Sequence, residues 1–209
     1  MSEHRFSRGN VRKLWPAEMD KFRDHLLRLD KESRRMRFVH GVSDAVIENY
    51  ASRVHGMGAI IHGYFVDGEV RAAAELHKLG ATWGKLAEAA FSVEEPYQNE
   101  GVGTELMGRV IRAARNRGIE HLYISCLAEN TRMQAIARKH AADLRFQPGE
   151  VIADIVPPEP DYVSMFIEAM EDRVASFTSA PDSPERLART SSTSLSPSGR
   201  PAISPRIIA

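Results

Sequence analysis

The sequence has a single cysteine, Cys126. A lone thiol closes no internal disulfide, and its setting in "HLYISCL" reads as a buried strand position rather than a nucleophile, which would need a base or cation beside it. The chain also lacks a charge excess: Lys plus Arg and Asp plus Glu both number 28 in 209 residues. No global field recommends nucleic acid or an anionic membrane as partner, so any anionic ligand has to be held locally. Apolar runs of membrane-spanning length, about 18 residues or more, are missing too. "SEHRFSRGN" after Met1 offers no signal-peptide core, and together these absences predict a cytoplasmic protein. His40, His55, His62, His77 and His140 lack metal-ligand spacing with cysteine or carboxylate partners, which predicts no metal.

What is present is ordinary globular composition, 43% apolar and 27% charged, enough to build a core. One domain is expected over residues 1–177, as a monomer or homodimer, followed by a disordered Ser- and Pro-rich tail over 178–209. Residues 17–28 and "VSDAVIENYASRV", with Ser43 as N-cap, suit amphipathic helices. "GAIIHGYFV" and "EVRAAAELHKL" flank Asp67-Gly68, a strong hairpin signal because a type I′ turn needs positive φ at both central residues. "KLAEAAFSV" is a third strand and "HLYISCL" a buried one. Asn130 then opens a helix in "NTRMQAIARKHA", with Met133, Ile136 and Ala137 on one face. "EVIADIV" reads as a further strand. "DYVSMFIEAMEDRVASF" reads as a terminal helix with Met165, Ile167, Met170 and Val174 partly on one stripe.

The richest stretch is "VEEPYQNEGVGTELM", residues 93–107. A strand gives way to a loop holding Gly101 and Gly103, and then Leu106, Met107, Val110, Ile111 and Ala114 recur at helical spacing up to Gly118, where a C-cap belongs. Backbone N–H groups at a helix start have no intrahelical partner and sit at the positive end of its dipole, so a loop without side-chain bulk suits a pyrophosphate. The same two glycines serve a ligand-free turn equally well. A nucleotide-hydrolysing P-loop is excluded because no lysine follows Gly103, and the dinucleotide fingerprint fails because its third glycine falls at Leu106.

Gln98-Asn99-Glu100-Gly101-Val102-Gly103 resembles the Gln/Arg-x-x-Gly-x-Gly/Ala element with which the GNAT superfamily of N-acyltransferases holds the pyrophosphate of coenzyme A. The order of elements over roughly residues 10–156 is similar as well. "LDKESRRMRF", "AEAAFSV" and "AENTRMQAIARKHA" look like the GNAT domain of bacterial protein lysine acetyltransferases. The resemblance implies an α/β (α+β) fold with a mixed, mostly antiparallel sheet flanked by helices, and acetyl-CoA as acyl donor. It implies that Phe91, Ser92 and Val93 offer backbone groups to the pantetheine arm. The amides of Gln98, Asn99, Glu100, Gly101, Val102, Gly103 and Thr104 are placed around the pyrophosphate, and Asn130 and Met133 near the cofactor. Asn130 is equally well explained as a cap of its own helix.

The acceptor implied is a primary amine, foremost a cytoplasmic protein lysine, with a small-molecule amine or a non-catalytic acyl-CoA sensor as alternatives. A lysine ammonium, with a pKa of about 10.4, must lose a proton before it attacks a thioester, so a carboxylate base is needed. The resemblance places the base at Glu88, and Glu75 on the neighbouring strand is the second candidate; either can also be a plain strand residue. Many relatives carry a tyrosine acid seven residues after Asn130, where this chain has Ala137. The family's Gly-Phe after that helix is Ala141-Ala142 here.

Overall fold

The computed structural model describes residues 9 to 178, and the expected tail lies outside the described residues except for Thr178. Seven strands, β1 (Asn10–Lys13), β2 (Ile60–Val66), β3 (Glu69–Lys78), β4 (Leu86–Val93), β5 (His121–Leu127), β6 (Asp143–Gln147) and β7 (Glu150–Ile155), form one sheet in the order β1-β2-β3-β4-β5-β7-β6. Every neighbouring pair is antiparallel except β4 and β5. The helices are α1 (Met19–Arg28), α2 (Lys31–Phe38), α3 (Asp44–Val54), α4 (Val102–Arg115), α5 (Thr131–Lys139) and α6 (Tyr162–Thr178). This is the mixed, mostly antiparallel sheet flanked by helices that the resemblance implies.

Local chemistry accounts for most boundaries. Asp67 and Gly68 both adopt positive φ, 51° and 77°, which lets β2 turn straight into β3. Gly101 sits at the N-cap of α4 with φ 88°, a conformation that a Cβ disfavours. Alternation along β3 and β4 sends successive residues to opposite faces. One face carries Ala72, Ala74, Leu76, Ala87 and Ala89, whose small side chains let Leu106, Met107 and Val110 of α4 settle closely on the sheet. Each such buried aliphatic side chain contributes about 1.5–3 kcal/mol. The other face is covered by α1 and α3, where Phe22, Leu26, Ile47 and Val54 pack with Ile61, Phe65 and Ala73.

Three elements were not expected from the sequence: β1, α2 and the edge strand β6. The terminal helix forms, but its apolar stripe does not face the core, since Met165, Ile167 and Met170 are exposed.

Candidate active site

The parallel ladder between β4 and β5 is short. Leu86, Ala87 and Glu88 pair with His121, Leu122 and Tyr123, and beyond them the two strands have no common register. The gap opens into a cleft of about 750 Å³ between α2 on one side and α5 with the glycine loop on the other. Met36, Phe91, Val93, Gln98, Gly103 and Met133 are among its lining residues. At its inner end a cavity of about 30 Å³ is bordered by Glu88, His77, Arg37, Cys126 and Asn130. Burial raises the Cys126 thiol to about 11, so it is a protonated lining group.

The loop is built to expose backbone. Asn99 and Gly101 have positive φ, 63° and 88°. Nothing lies within 4 Å of a Cβ placed on Gly101, so its surroundings are open, whereas a Cβ on Gly103 would stand 2.9 Å from Ile136 Cδ1. Val102 is buried and anchors the helix start. The amide of Thr104 donates to Gly101 O at 3.0 Å and is already committed. The amides of Val102 and Gly103, in the first turn, have no intrahelical partner. Glu100 is exposed, and the Gln98 side chain turns inward, with Nε2 donating to Val93 O at 3.0 Å and Ser33 Oγ at 3.1 Å. Its Oε1 accepts from Arg132 of α5 at 2.6 Å. Asn130 caps α5, its Oδ1 accepting from the Met133 amide at 3.0 Å.

At the end of β4, the Glu94 amide donates to Arg71 O on the β3 side at 3.0 Å. N–H directions alternate along a strand, so the Val93 amide points to the open side, the side on which its carbonyl meets Gln98. Ser92 borders the cleft, but its side chain is engaged with α1. Its hydroxyl lies 2.8 Å from His25 Nε2, and His25 Nδ1 lies 3.1 Å from Glu94 Oε1. Arg28 and Arg71 also reach Glu94, at 3.0 and 3.2 Å. Glu94, which with Glu95 forms an acidic run beside the loop, is therefore spent on holding α1 to β4.

The two candidate carboxylates stand in opposite settings. Glu75 is fully buried: Oε1 accepts from Arg37 at 2.6 Å, and Oε2 contacts the Tyr50 hydroxyl and His77 Nε2, the latter at 3.2 Å. Burial alone would raise this carboxyl, but the Arg37 charge and the hydrogen bonds from His77 and Tyr50 bring it down to about 2. Both of its oxygens are occupied. Glu88, directly opposite His77 on β3, is half-buried at the mouth of the strand gap, and burial raises its pKa above the ordinary carboxylate value despite the attraction of His77 and Arg37. A raised carboxylate free to face the cleft is equipped to take up a proton. His62 lies on the α4 side, remote from this constellation. Ala137, buried in α5, offers no acid. Among the described residues no group of three or more His, Cys, Asp or Glu is placed to hold a metal.

Sequence reading missed the contribution of α2, which brings Met36 and Arg37 to the cleft. Asp30, accepting from the Ser33 amide at 2.9 Å, was its available N-cap signal.

A sheet split between two central strands, with a glycine loop and helix start at the mouth of the split, defines an acyl-CoA N-acyltransferase architecture. The model of the acetyltransferase (GNAT) family matches residues 23–141, and the chain belongs to that family. Acetyltransferase Pat of Mycolicibacterium smegmatis is 33% identical over 92 residues, covering 40% of this chain and 28% of that protein. The chain thus spans little more than a quarter of that curated relative. The GNAT domain of S. lividans PAT superposes with a TM-score of 0.61 at 20% identity, over 71% of this chain and 90% of that domain. Salmonella typhimurium yncA, solved with its cofactor acetyl-CoA, gives 0.56 at 15% identity, over 75% and 99%.

Proposed function

We propose that the chain transfers an acetyl group from acetyl-CoA to a primary amine, in first place a protein lysine, by direct attack within a ternary complex. The observation that carries this reading is the position of Glu88, the last residue paired across β4 and β5, at the point where the strands part and beside the inner cavity.

In this mechanism Glu88, deprotonated, removes a proton from the acceptor ammonium, and the freed amine attacks the thioester carbon. The Val93 amide, turned to the open side, donates to the oxyanion of the tetrahedral intermediate. Collapse of the intermediate forms the amide bond and breaks the carbon–sulfur bond, and the second proton shed by the nitrogen passes to the departing thiolate of coenzyme A, directly or through water. The amides of Asn99 to Gly103 hold the pyrophosphate, and the strand-gap backbone at Phe91 to Val93 orients the pantetheine arm. Arg37, Glu75, Tyr50 and His77 act as positioning residues: they fix the β3 surface against which Glu88 is registered.

The choice of a protein lysine rests on the similarity to the protein lysine acetyltransferases. The test incubates purified protein and labelled acetyl-CoA with cell lysate and, separately, with polyamines, aminoglycosides and amino acids. Label on protein bands is the expected outcome. Efficient labelling of a small amine with no protein band marked overturns the protein-lysine reading, and no transfer in either arm overturns the enzyme reading.

A further inference from the structure

Helix α6 is amphipathic the wrong way round for a monomer. The residues it turns toward the domain are polar and engaged. Ser164, buried, donates to Asn116 Oδ1 at 2.7 Å, Glu168 pairs with Arg117 at 2.8 Å and accepts from Asn116 at 2.6 Å, and Glu171 accepts from Arg112 at 2.5 Å and pairs with Arg109. Asp172 pairs with Lys13 of β1 at 2.8 Å. The residues turned outward are apolar: Tyr162 is 92% exposed, Phe166 65%, Val163 66% and Met170 44%. These ion pairs lock the rotation of the helix, because turning the stripe inward would break all of them and cover Arg109, Arg112, Asn116 and Arg117 with apolar side chains that cannot pair with them. The helix lies beyond the residues matched by the family model.

The geometry points to a second copy of this chain as the occupant of that face, α6 packing on α6 about a two-fold axis. Three observations select it. With Val156 and Met165, both also exposed, the outward side chains offer on the order of 700 Å², near the roughly 800 Å² per partner of a standard interface and above the largest patch a typical monomer leaves in water. Glu168, Glu171 and Asp172 are all spent inward, so the stripe from Tyr162 to Met170 is uncharged and complementary to itself, with the exposed Arg173 standing at its C-terminal end. A membrane surface is disfavoured by the same arrangement, since an interfacial helix presents Lys and Arg along its polar face and this one presents Glu168, Glu171 and Asp172. Ala169, exposed within the stripe, lets two helix backbones approach.

The decisive experiment measures the mass of the full chain by light scattering at tens of micromolar, for the wild type, for Phe166→Asp and for Val163→Asp/Phe166→Asp. The expected result is a dimer that the double variant converts to monomer, with melting behaviour still cooperative and coenzyme A binding unchanged, because no residue of α6 lines the cleft. Phe166→Asp alone weakens the dimer at least tenfold. A monomeric wild type, or a dimer that survives the double substitution, overturns the assignment. If the wild type is monomeric and only vesicles of anionic lipid retain it, the face belongs to a membrane and the proposal fails.

Discussion

The two faces of the central sheet are built from different chemistry. Toward α4 the strands present alanines, Leu76 and Tyr64 to an aliphatic helix, and β2 also buries His62 there. Toward α1, α2 and α3 the same strands bury His25, Arg37, Glu75, His77, Ser92 and Glu94, linked into two hydrogen-bonded clusters. Aliphatic packing is non-directional and fixes how tightly a helix lies on a sheet. Hydrogen-bonded charges are directional and fix where individual strand atoms stand, at a desolvation cost that apolar packing would not carry. The directional chemistry is concentrated on the side where β4 ends in the cleft, where positions matter most.

The sharpest break in this comparison is Glu88→Gln. It keeps the shape of the polar face and removes the carboxylate at the point where the strands part, so turnover is expected to fall about 10²–10⁴-fold while coenzyme A affinity by calorimetry stays unchanged. Equal turnover removes Glu88 from the mechanism. The pH profile of the wild type follows from the raised carboxyl: activity rises with pH as Glu88 loses its proton, with the midpoint above the ordinary glutamate value of about 4.3.

Arg37→Met is expected to cost about 3–5 kcal/mol in a denaturant melt, because Glu75 is left as an unpaired buried charge. Adding Glu75→Gln should return part of that loss. Strict additivity would show that the pair is not coupled. Gly101→Val, at φ 88°, should weaken coenzyme A binding tenfold or more while unfolding remains cooperative, since a branched side chain both strains the turn and fills the open approach to the loop amides.

On the aliphatic face the test is His62. Its environment is dry and ringed by Arg109, Lys13, Arg117 and Arg112, and burial followed by those charges lowers its pKa to about 3. The unfolded chain takes up a proton as pH falls through about 6.5, and the folded chain does not. The contribution of His62 is therefore fully present above that pH and is lost as pH falls toward 3. His62→Leu should flatten the decline of melting temperature between pH 7 and 5, and His25, also lowered by burial, contributes in the same direction. The smallest expected effect is a gain. Ala141 holds φ 58°, a left-handed conformation that glycine adopts without strain, so Ala141→Gly should add about 1 kcal/mol to stability.

The legible parts of the fold were those whose local signal agrees with their burial. "HLYISCL" became β5 end to end because alternation and burial coincide, and Asp67-Gly68 carried its turn in two residues. The helix α2, "KESRRMRF", was illegible by periodicity since Met36 and Phe38 are its only apolar residues and Arg37 is held by a partner 38 positions away. The edge strand β6 has mostly exposed residues and forms because β7 offers it a ladder. In the site, the loop could be read, but the contrast between Glu75 and Glu88 could not. Both sit in similar strands, and only the arrival of Arg37 and Tyr50 from separate helices occupies one and leaves the other available. The apolar count of α6 marked a helix without telling which way the stripe faces, because that depends on arginines of α4.

The three-residue ladder between β4 and β5 leaves two strand edges inside the molecule, Ala89 to Val93 on one side and Ile124 to Leu127 on the other, each lacking a neighbour on its inner side. On an outer margin such edges invite strand addition from another chain. Here α2 and α5 stand over them like gateposts, with Arg35 reaching across to Glu129, and Arg132 on α5 reaching Gln98. In the proposed reading, the arm of the acyl donor threads between the posts and its own amide groups meet both margins. The wound in the sheet is thus also its filter: the defect that would make another protein prone to aggregation selects for a narrow, amide-bearing guest.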